Sequence, residues 1–172
     1  ASTMPVVFEA AADAPISGKL LDFTARHADP KQDIKGSYRN TGDFIRGGPG
    51  QSIYWQVDVG QIPVCVVDEV PFRLEIIEPK VPIVRNGTMQ LKVVAHKKEG
   101  WDEQINLQMP FRPPGISATS SINMPKGKNE VFYPISANGS AGIKKWKYYI
   151  IGSADAGGTA WVSSQLATME IS

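Results

Sequence analysis

Three aromatic residues stand where a sugar ring could stack on them. Trp101 lies in a Gly-Trp-Asp-Glu loop, Tyr149 falls on the polar side of an alternating segment, and Trp161 lies near the start of the last segment. A ring fixed by a rigid sheet offers a flat, electron-rich face to the C–H groups of a sugar. These three are the candidate ligand-binding residues, and polysaccharide is the candidate ligand. In the competing interpretation, which we favour, Trp55 and Trp146 are core residues while Trp101 and Trp161 close the ends of a sandwich.

The sequence contains no recognisable catalytic pattern. The serine pairs at 120–121 and 163–164 lack a Gly-x-Ser-x-Gly elbow, and no histidine follows either pair. The glycine-rich stretch at 47–50 has no Gly-Lys-Ser/Thr ending that would make it a phosphate-binding loop. We therefore predict no catalytic residue, no cofactor and no enzymatic activity.

Metal ligands are also not grouped. His27 and His96 are far apart, and neither has a second ligand at the spacing of a metal site. Asp29 and Asp33 could join Asp22 or Asp43 around calcium, which prefers oxygen ligands in loops. This arrangement matches no calcium-binding motif, so we predict no metal site.

Charge and cysteine content narrow the choice of partners. A net charge of +1 is far from the basic excess of a dedicated nucleic-acid-binding protein, so no nucleic acid is expected. No apolar run reaches the ~20 residues of a membrane-spanning helix. The single cysteine, Cys65, excludes an internal disulfide, and its apolar neighbours predict a small buried side chain.

Basic residues recur in the second half of the chain. They would form a patch for an acidic polymer if their strands adjoin, but a solvated face with lysines that protect sheet edges explains them equally well and is favoured. These residues are Arg73, Lys92, His96, Lys97, Lys98, Lys144, Lys145 and Lys147.

Strands with one buried face must position all these residues. The clearest segment is 87–98, where Met89, Leu91, Val93 and Ala95 fall on one side and polar residues on the other. A period of two indicates a half-buried strand. Further inward rows are predicted around segments 72–76, 105–111, 131–137 and 146–150, and continuous strands over 116–124 and 160–171, the last with a bulge.

The first seventy residues show weaker strand patterns. Segments 4–10, 16–26, 34–38 and 53–59 are predicted strands, and Pro71 marks the join to the second block. Pro79 and Pro82 confine the following segment to a sheet edge or to a switch between sheets. About seven strands in a hundred residues, with turns at regular spacing, are typical of an immunoglobulin-like sandwich.

Residues 71–172 resemble an immunoglobulin-like β-sandwich module of large exported bacterial proteins, often adjacent to pre-peptidase-type β domains. The stretches that carry the resemblance are 70–87, 112–116 (Arg-Pro-Pro-Gly-Ile), 125–138 and 161–167 (Trp-Val-Ser-Ser-Gln-Leu-Ala). The resemblance implies an extracytoplasmic location and a spacer or assembly role, and it transfers no functional residue.

The prediction is therefore an all-β chain with a β block at 1–70 and an immunoglobulin-like β-sandwich at 71–172. We expect a non-catalytic spacer, scaffold or protein-interaction module of a larger exported bacterial protein. Its opening residues look like a piece cut from a longer polypeptide. Its partners would be neighbouring domains of the same parent chain or other surface proteins. The alternative is a carbohydrate-binding module accessory to a secreted hydrolase.

Overall fold

A computed structural model describes residues 4–11, 13–48 and 52–172, without the side chains of residues 45 and 46. The chain forms two compact units. One, here called the ribbon unit, is Ala10–Asp68; the other, the sandwich unit, is Glu69–Ser172 with the described residues up to Glu9. No helix occurs in these described ranges.

The ribbon unit consists of paired antiparallel strands. They are β1 (Ser17–Asp22), β2 (Thr24–Arg26), β3 (Lys35–Ser37), β4 (Asn40–Arg46), β5 (Ile53–Val59) and β6 (Gln61–Val66). β1 pairs with β6, β2 with β3, and β4 with β5. No described residue of this unit is fully buried.

Several predictions for the first seventy residues were wrong. Segment 4–10 contains no strand, and 16–26 is two strands with different partners. β4 was not predicted because Asn40-Thr41-Gly42-Asp43 has no apolar alternation. This strand is defined by its pairing with β5. Cys65 is exposed because, among the described residues, β6 pairs with β1 alone and no buried layer forms in this unit.

The sandwich unit contains two four-stranded antiparallel sheets. Its strands are β7 (Phe72–Ile77), β8 (Thr88–Lys97), β9 (Ile105–Gln108), β10 (Ile116–Ala118), β11 (Ile122–Met124), β12 (Glu130–Ala137), β13 (Lys145–Tyr148), β14 (Ile151–Asp155), β15 (Thr159–Ser163) and β16 (Ala167–Glu170). The first sheet has the order β10-β12-β8-β7 and the second β11-β9-β14-β15; β13 and β16 form a separate pair. The predicted all-β, immunoglobulin-like β-sandwich is confirmed.

The inward rows predicted from alternation meet in one core. Leu91, Val93 and Ala95 of β8 are buried, as are Ile105 and Leu107 of β9. Since side chains two residues apart share a face, each strand contributes every second residue. The sheets approach closely at Gly152, where an added Cβ would lie 2.7 Å from Leu74 Cδ1 of the first sheet and 2.9 Å from Ile105 Cγ2 of its own sheet.

Two predicted long strands are instead broken. Segment 116–124 forms β10 in the first sheet and β11 in the second, and 160–171 forms β15 and β16 in different sheets. At the second break the buried Ser164 hydroxyl accepts a hydrogen bond from Ile150 N at 3.0 Å. A change of apolar phase therefore marks a change of sheet here, not a bulge.

The segment with Pro79 and Pro82 leaves its sheet, as predicted. After it, Ile83 forms a parallel bridge to Ile171. Arg85 and Asn86 then turn the chain into β8, with Gly87 N donating to Val84 O at 3.0 Å and Asn86 at φ 58°. Asparagine tolerates this left-handed conformation better than most residues.

We predict that Gly152→Val destabilises the sandwich unit by about 1–3 kcal/mol, because the new side chain would overpack the space beside Leu74 and Ile105. Ser153→Val is the matched control, since it adds the same side chain one residue along the strand on the outer face. Chemical denaturation measures both, and equal losses would contradict the close approach of the sheets at Gly152.

We also predict that backbone amides of the ribbon unit exchange hydrogen for deuterium faster than those of β8 and β12. Strands whose side chains are exposed open locally at little cost in free energy. Hydrogen exchange followed by mass spectrometry measures the difference between the units. Equal protection in both would show that the paired ribbons are as stable as the sandwich core.

Candidate functional site

Trp101 closes one end of the sandwich. Its ring stacks on Phe72 with centroids 5.1 Å apart and planes 6° from parallel. Its Nε1 donates to Asp155 O at 3.1 Å, and the Lys97 ammonium lies 6.0 Å from the ring centroid. Phe72 covers one face of the ring, and the indole N–H is already hydrogen-bonded to Asp155 O. Both contacts agree with the interpretation that Trp101 closes an end of the sandwich.

An ion pair holds two turns together beside this indole. The Lys97 side chain is only 7% exposed, and its Nζ pairs with Asp102 Oδ1. Asp102 Oδ2 accepts a hydrogen bond from Gly127 N at 2.6 Å. The bond from Lys97, followed by that from Gly127, holds the pKa of Asp102 below its usual value. The ionised carboxylate therefore links the 98–103 loop to the 125–128 turn.

Trp161 and Tyr149 occupy other positions. Trp161 lies on β15 and is 57% exposed, whereas its neighbours Ala160 and Val162 pack against the core. Its expected role in closing an end is therefore wrong, since the strand turns this ring outward. Tyr149 is half-buried in the short link between β13 and β14. No ring contact joins any two of the three candidates within the described residues.

The two tryptophans expected in the core, Trp55 and Trp146, differ in how deeply they are buried. Trp55 is 60% exposed on β5, so that expectation was wrong; the ribbon unit has no second layer to cover it. Trp146 is half-buried against the core, donates from Nε1 to Gly142 O at 3.0 Å, and carries the Lys144 ammonium 4.1 Å from its ring. Tyr148 and Ile150 are fully buried, which confirms the phase of that inward row.

A row of uncharged polar side chains crosses the outer face of the second sheet. The strand register places Asn123 opposite Asn106, Asn106 opposite Ser153, and Ser153 opposite Trp161. We call these four residues the amide row. Asn106 Nδ2 donates to Asn123 Oδ1 at 2.9 Å, and Gln108 Nε2 donates to Asn106 Oδ1 at 3.1 Å. These bonds orient the amides along the sheet surface.

The sequence patterns pointed to Trp161 but not to the amides in the same row. Asn106 and Gln108 alternate with Ile105 and Leu107, so their place on an outer face was visible. That Asn106 shares a row with Trp161 depends on the pairing of β9 with β14 and of β14 with β15. β14 and β15 form a hairpin around Gly157-Gly158, which is a local signal, but the pairing of β9 with β14 joins Asn106 to Ser153, and no local pattern signals a pairing over that separation.

Most of the basic residues considered for an acidic polymer have a side-chain partner. Lys92 pairs with Glu130 at 2.6 Å, His96 with Glu75 at 2.7 Å, and Lys98 with Glu69 at 2.7 Å. Lys145 lies 3.7 Å from Glu170, and Lys147 donates to Thr168 Oγ1 at 2.8 Å. The pairing favours a solvated face of mixed charge over a site for an acidic polymer.

The aspartates considered for calcium each have a local partner. Asp29 Oδ1 accepts from Lys31 N at 3.0 Å, Asp33 pairs with Lys35 at 3.1 Å, and Asp22 accepts from Gln61 at 3.1 Å. Asp43 accepts from Gln56 Nε2 at 3.0 Å. Within 4–11, 13–48 and 52–172, no cluster of three or more histidine, cysteine, aspartate or glutamate residues suits a metal ion.

The resolved pKa shifts do not produce a general base. A hydrogen bond from Arg39 lowers the pKa of Asp58, and one from Lys98 lowers the pKa of Glu69. Burial raises the pKa values of Tyr133 and Tyr148. The carboxylates therefore stay ionised and the phenols protonated near neutral pH, whereas a general base works best with a pKa near the operating pH.

Two surface depressions accompany these residues. One of about 270 Å³ is lined by residues including Glu69, Arg73 and Lys98, and one of about 200 Å³ by residues including Glu78, Lys145 and Glu170. Small-molecule sites usually measure about 300–1,000 Å³ and are mostly apolar. Neither depression has that character. No helix able to cross a membrane occurs in the part of the chain described.

Comparisons with known proteins give similarities to solved structures. No protein-family model matches the chain, and no curated protein matches it. Domains 4 and 5 of the S-layer protein SbsC share 12% identity over 67% of this chain, with a TM-score of 0.33; the chain spans 62% of that protein chain. Fibronectin(III)-like modules of Clostridium thermocellum CbhA share 11% identity over 95% of this chain and 83% of that chain, with a TM-score of 0.34.

We predict that Asp102→Asn lowers the melting temperature at pH 7 but not in strong acid. The lowered pKa of Asp102 means that its carboxylate stabilises the fold above the unfolded-state pKa of about 3.9. This stabilisation is lost as the pH falls through the still lower folded-state pKa. Melting curves from pH 7 to pH 2 should converge for parent and variant. A constant difference across that range, or the same profile for Glu99→Gln in the same loop, would contradict the assignment.

Proposed function

We propose that this chain is a non-catalytic spacer module of a larger exported bacterial protein, with its location outside the cytoplasm. The observation that supports this role is a set of backbone hydrogen bonds between residues 83–85 and residues 170–172. Ile83 N donates to Glu170 O at 2.9 Å, Ser172 N to Ile83 O at 3.0 Å, and Arg85 N to Ser172 O at 2.9 Å. The segment after β7 is thus bonded in parallel to the end of the chain.

This pairing suits a module that transmits tension. When two parallel segments are pulled from the start of one and the end of the other, the force runs along the strands, so their bonds must yield together. A hairpin pulled open at its end loses its bonds one at a time. The Arg85 side chain adds a bond from Nε to Ala141 O at 2.8 Å.

The remaining features agree with a structural role. The ionisable groups with resolved pKa shifts are ion-paired or buried. The resemblance of residues 71–172 to modules of exported bacterial proteins supplies the location and the expected partners, which are neighbouring domains or other surface proteins. The division into domains at 1–70 and 71–172 and the association with pre-peptidase-type domains stay predictions.

We predict that Arg85→Pro speeds unfolding under a constant force by about two- to tenfold relative to Arg85→Ala, the effect of one hydrogen bond worth ~0.5–1.5 kcal/mol. Both variants lose the guanidinium, but only proline also lacks the N–H that Ser172 O accepts. Residue 85 is the second residue of the turn closed by Gly87, where proline is well tolerated.

The measurement is single-molecule force spectroscopy with the handles before Glu69 and after Ser172. Forced unfolding reports the unfolding rate directly. Equal rates for the two variants would mean that the parallel segment carries none of the force, and would remove the main support for the spacer role.

A further inference from the structure

The outer face of the second sheet differs chemically from that of the first. Strands β9, β11, β14 and β15 contain one ionisable residue, Asp155, whose Oδ1 accepts hydrogen bonds from Gly157 N at 3.0 Å and Gly158 N at 3.2 Å. The outer face of the first sheet instead carries the pairs His96–Glu75 and Lys92–Glu130. In a chain with 20% charged residues, this contrast makes the amide row a neutral surface.

The amide row retains hydrogen-bonding capacity. Each primary amide has two N–H donors and a carbonyl acceptor, and a serine hydroxyl both donates and accepts. The bonds between Asn123, Asn106 and Gln108 use only part of this capacity. Within the described residues, no side-chain hydrogen bond uses Asn123 Nδ2, Gln108 Oε1 or the Ser153 hydroxyl. These groups are available to a ligand rich in hydroxyls.

Trp161 supplies a flat apolar surface at the end of the row. Trp161 is 57% exposed, and the residue directly opposite it is the small Ser153. The face of an aromatic ring carries partial negative charge, so it attracts the slightly positive C–H groups on one side of a sugar ring. The row crosses three inter-strand spacings, about 14 Å in all. This length suits an extended chain of sugars lying across the strands.

We propose that the amide row and Gln108 form a binding face for a neutral glycan. One sugar ring stacks on Trp161, and hydroxyls of the following sugars bond to Ser153, Asn106, Asn123 and Gln108. The chemistry of the face selects this occupant. Nucleic acids and acidic polysaccharides require cations, which these four strands lack. This binding goes beyond the spacer role, and its loss would leave the unfolding rates under force unchanged.

Affinity electrophoresis in native gels tests the proposal with the full chain. The gels contain hydroxyethyl cellulose, xyloglucan, mixed-linkage β-glucan or galactomannan, with alginate as the anionic comparison. We expect retardation by at least one neutral polymer, unchanged when the salt concentration is raised. Trp161→Ala should weaken it about tenfold by removing the stacked ring, whereas Trp161→Tyr should retain part of it. Asn106→Ala should weaken it less, since Trp161 remains.

Phe132→Ala is the matched control. Phe132 is 54% exposed on β12, the first sheet, so it is an exposed aromatic residue of similar accessibility on a different sheet. Its removal should leave retardation unchanged. Circular dichroism confirms that each variant is folded. No retardation by any of the four neutral polymers, retardation that survives Trp161→Ala, or equal loss in Phe132→Ala would each overturn the proposal. Retardation by alginate alone that disappears in high salt would also overturn it.

Discussion

Burial between two sheets is the interaction on which the sandwich unit depends. With a single cysteine, the chain has no internal disulfide to hold the sheets together. Leu74, Leu91 and Leu107 must therefore supply stability through apolar area removed from water, at roughly 25 cal/mol per Å². Gly152 lets the layers approach closely enough for these side chains to interlock. The described residues of the ribbon unit form only paired strands without a second layer, and this explains why its apolar side chains remain exposed.

The edge strand β7 has a side-chain partner in place of a neighbouring strand. β7 lies at the edge of the first sheet, and the Gln165 side chain bonds both backbone polar groups of Ile76. Gln165 Nε2 donates to Ile76 O at 2.7 Å, and Ile76 N donates to Gln165 Oε1 at 3.0 Å. This amide stands where the chain leaves β15 for β16. It acts as a short substitute for a neighbouring strand, so the edge is protected against pairing with another chain.

The outer faces of the two sheets differ in chemistry. One carries paired charges, which keep a surface soluble without attracting a polyelectrolyte. The other carries Trp161 and a line of amides whose positions follow from strand register. A spacer would need only the first kind of face. The second kind leads us to propose that the module also contacts a neutral glycan.

The sequence by itself determined the all-β fold, the inward faces of β8, β9 and β12, and the turn at Asn86. These follow from local rules, because alternation sets which face a side chain occupies and asparagine suits a left-handed turn. Only the tertiary structure decided that segments 116–124 and 160–171 divide between sheets, that Trp55 and Cys65 are exposed, and that Trp161 shares a row with Asn106 and Asn123. Whether a residue on a strand face is buried depends on a second layer supplied by distant parts of the chain. Alternation in the sequence shows which side chains share a face, but it does not show whether a second layer covers that face.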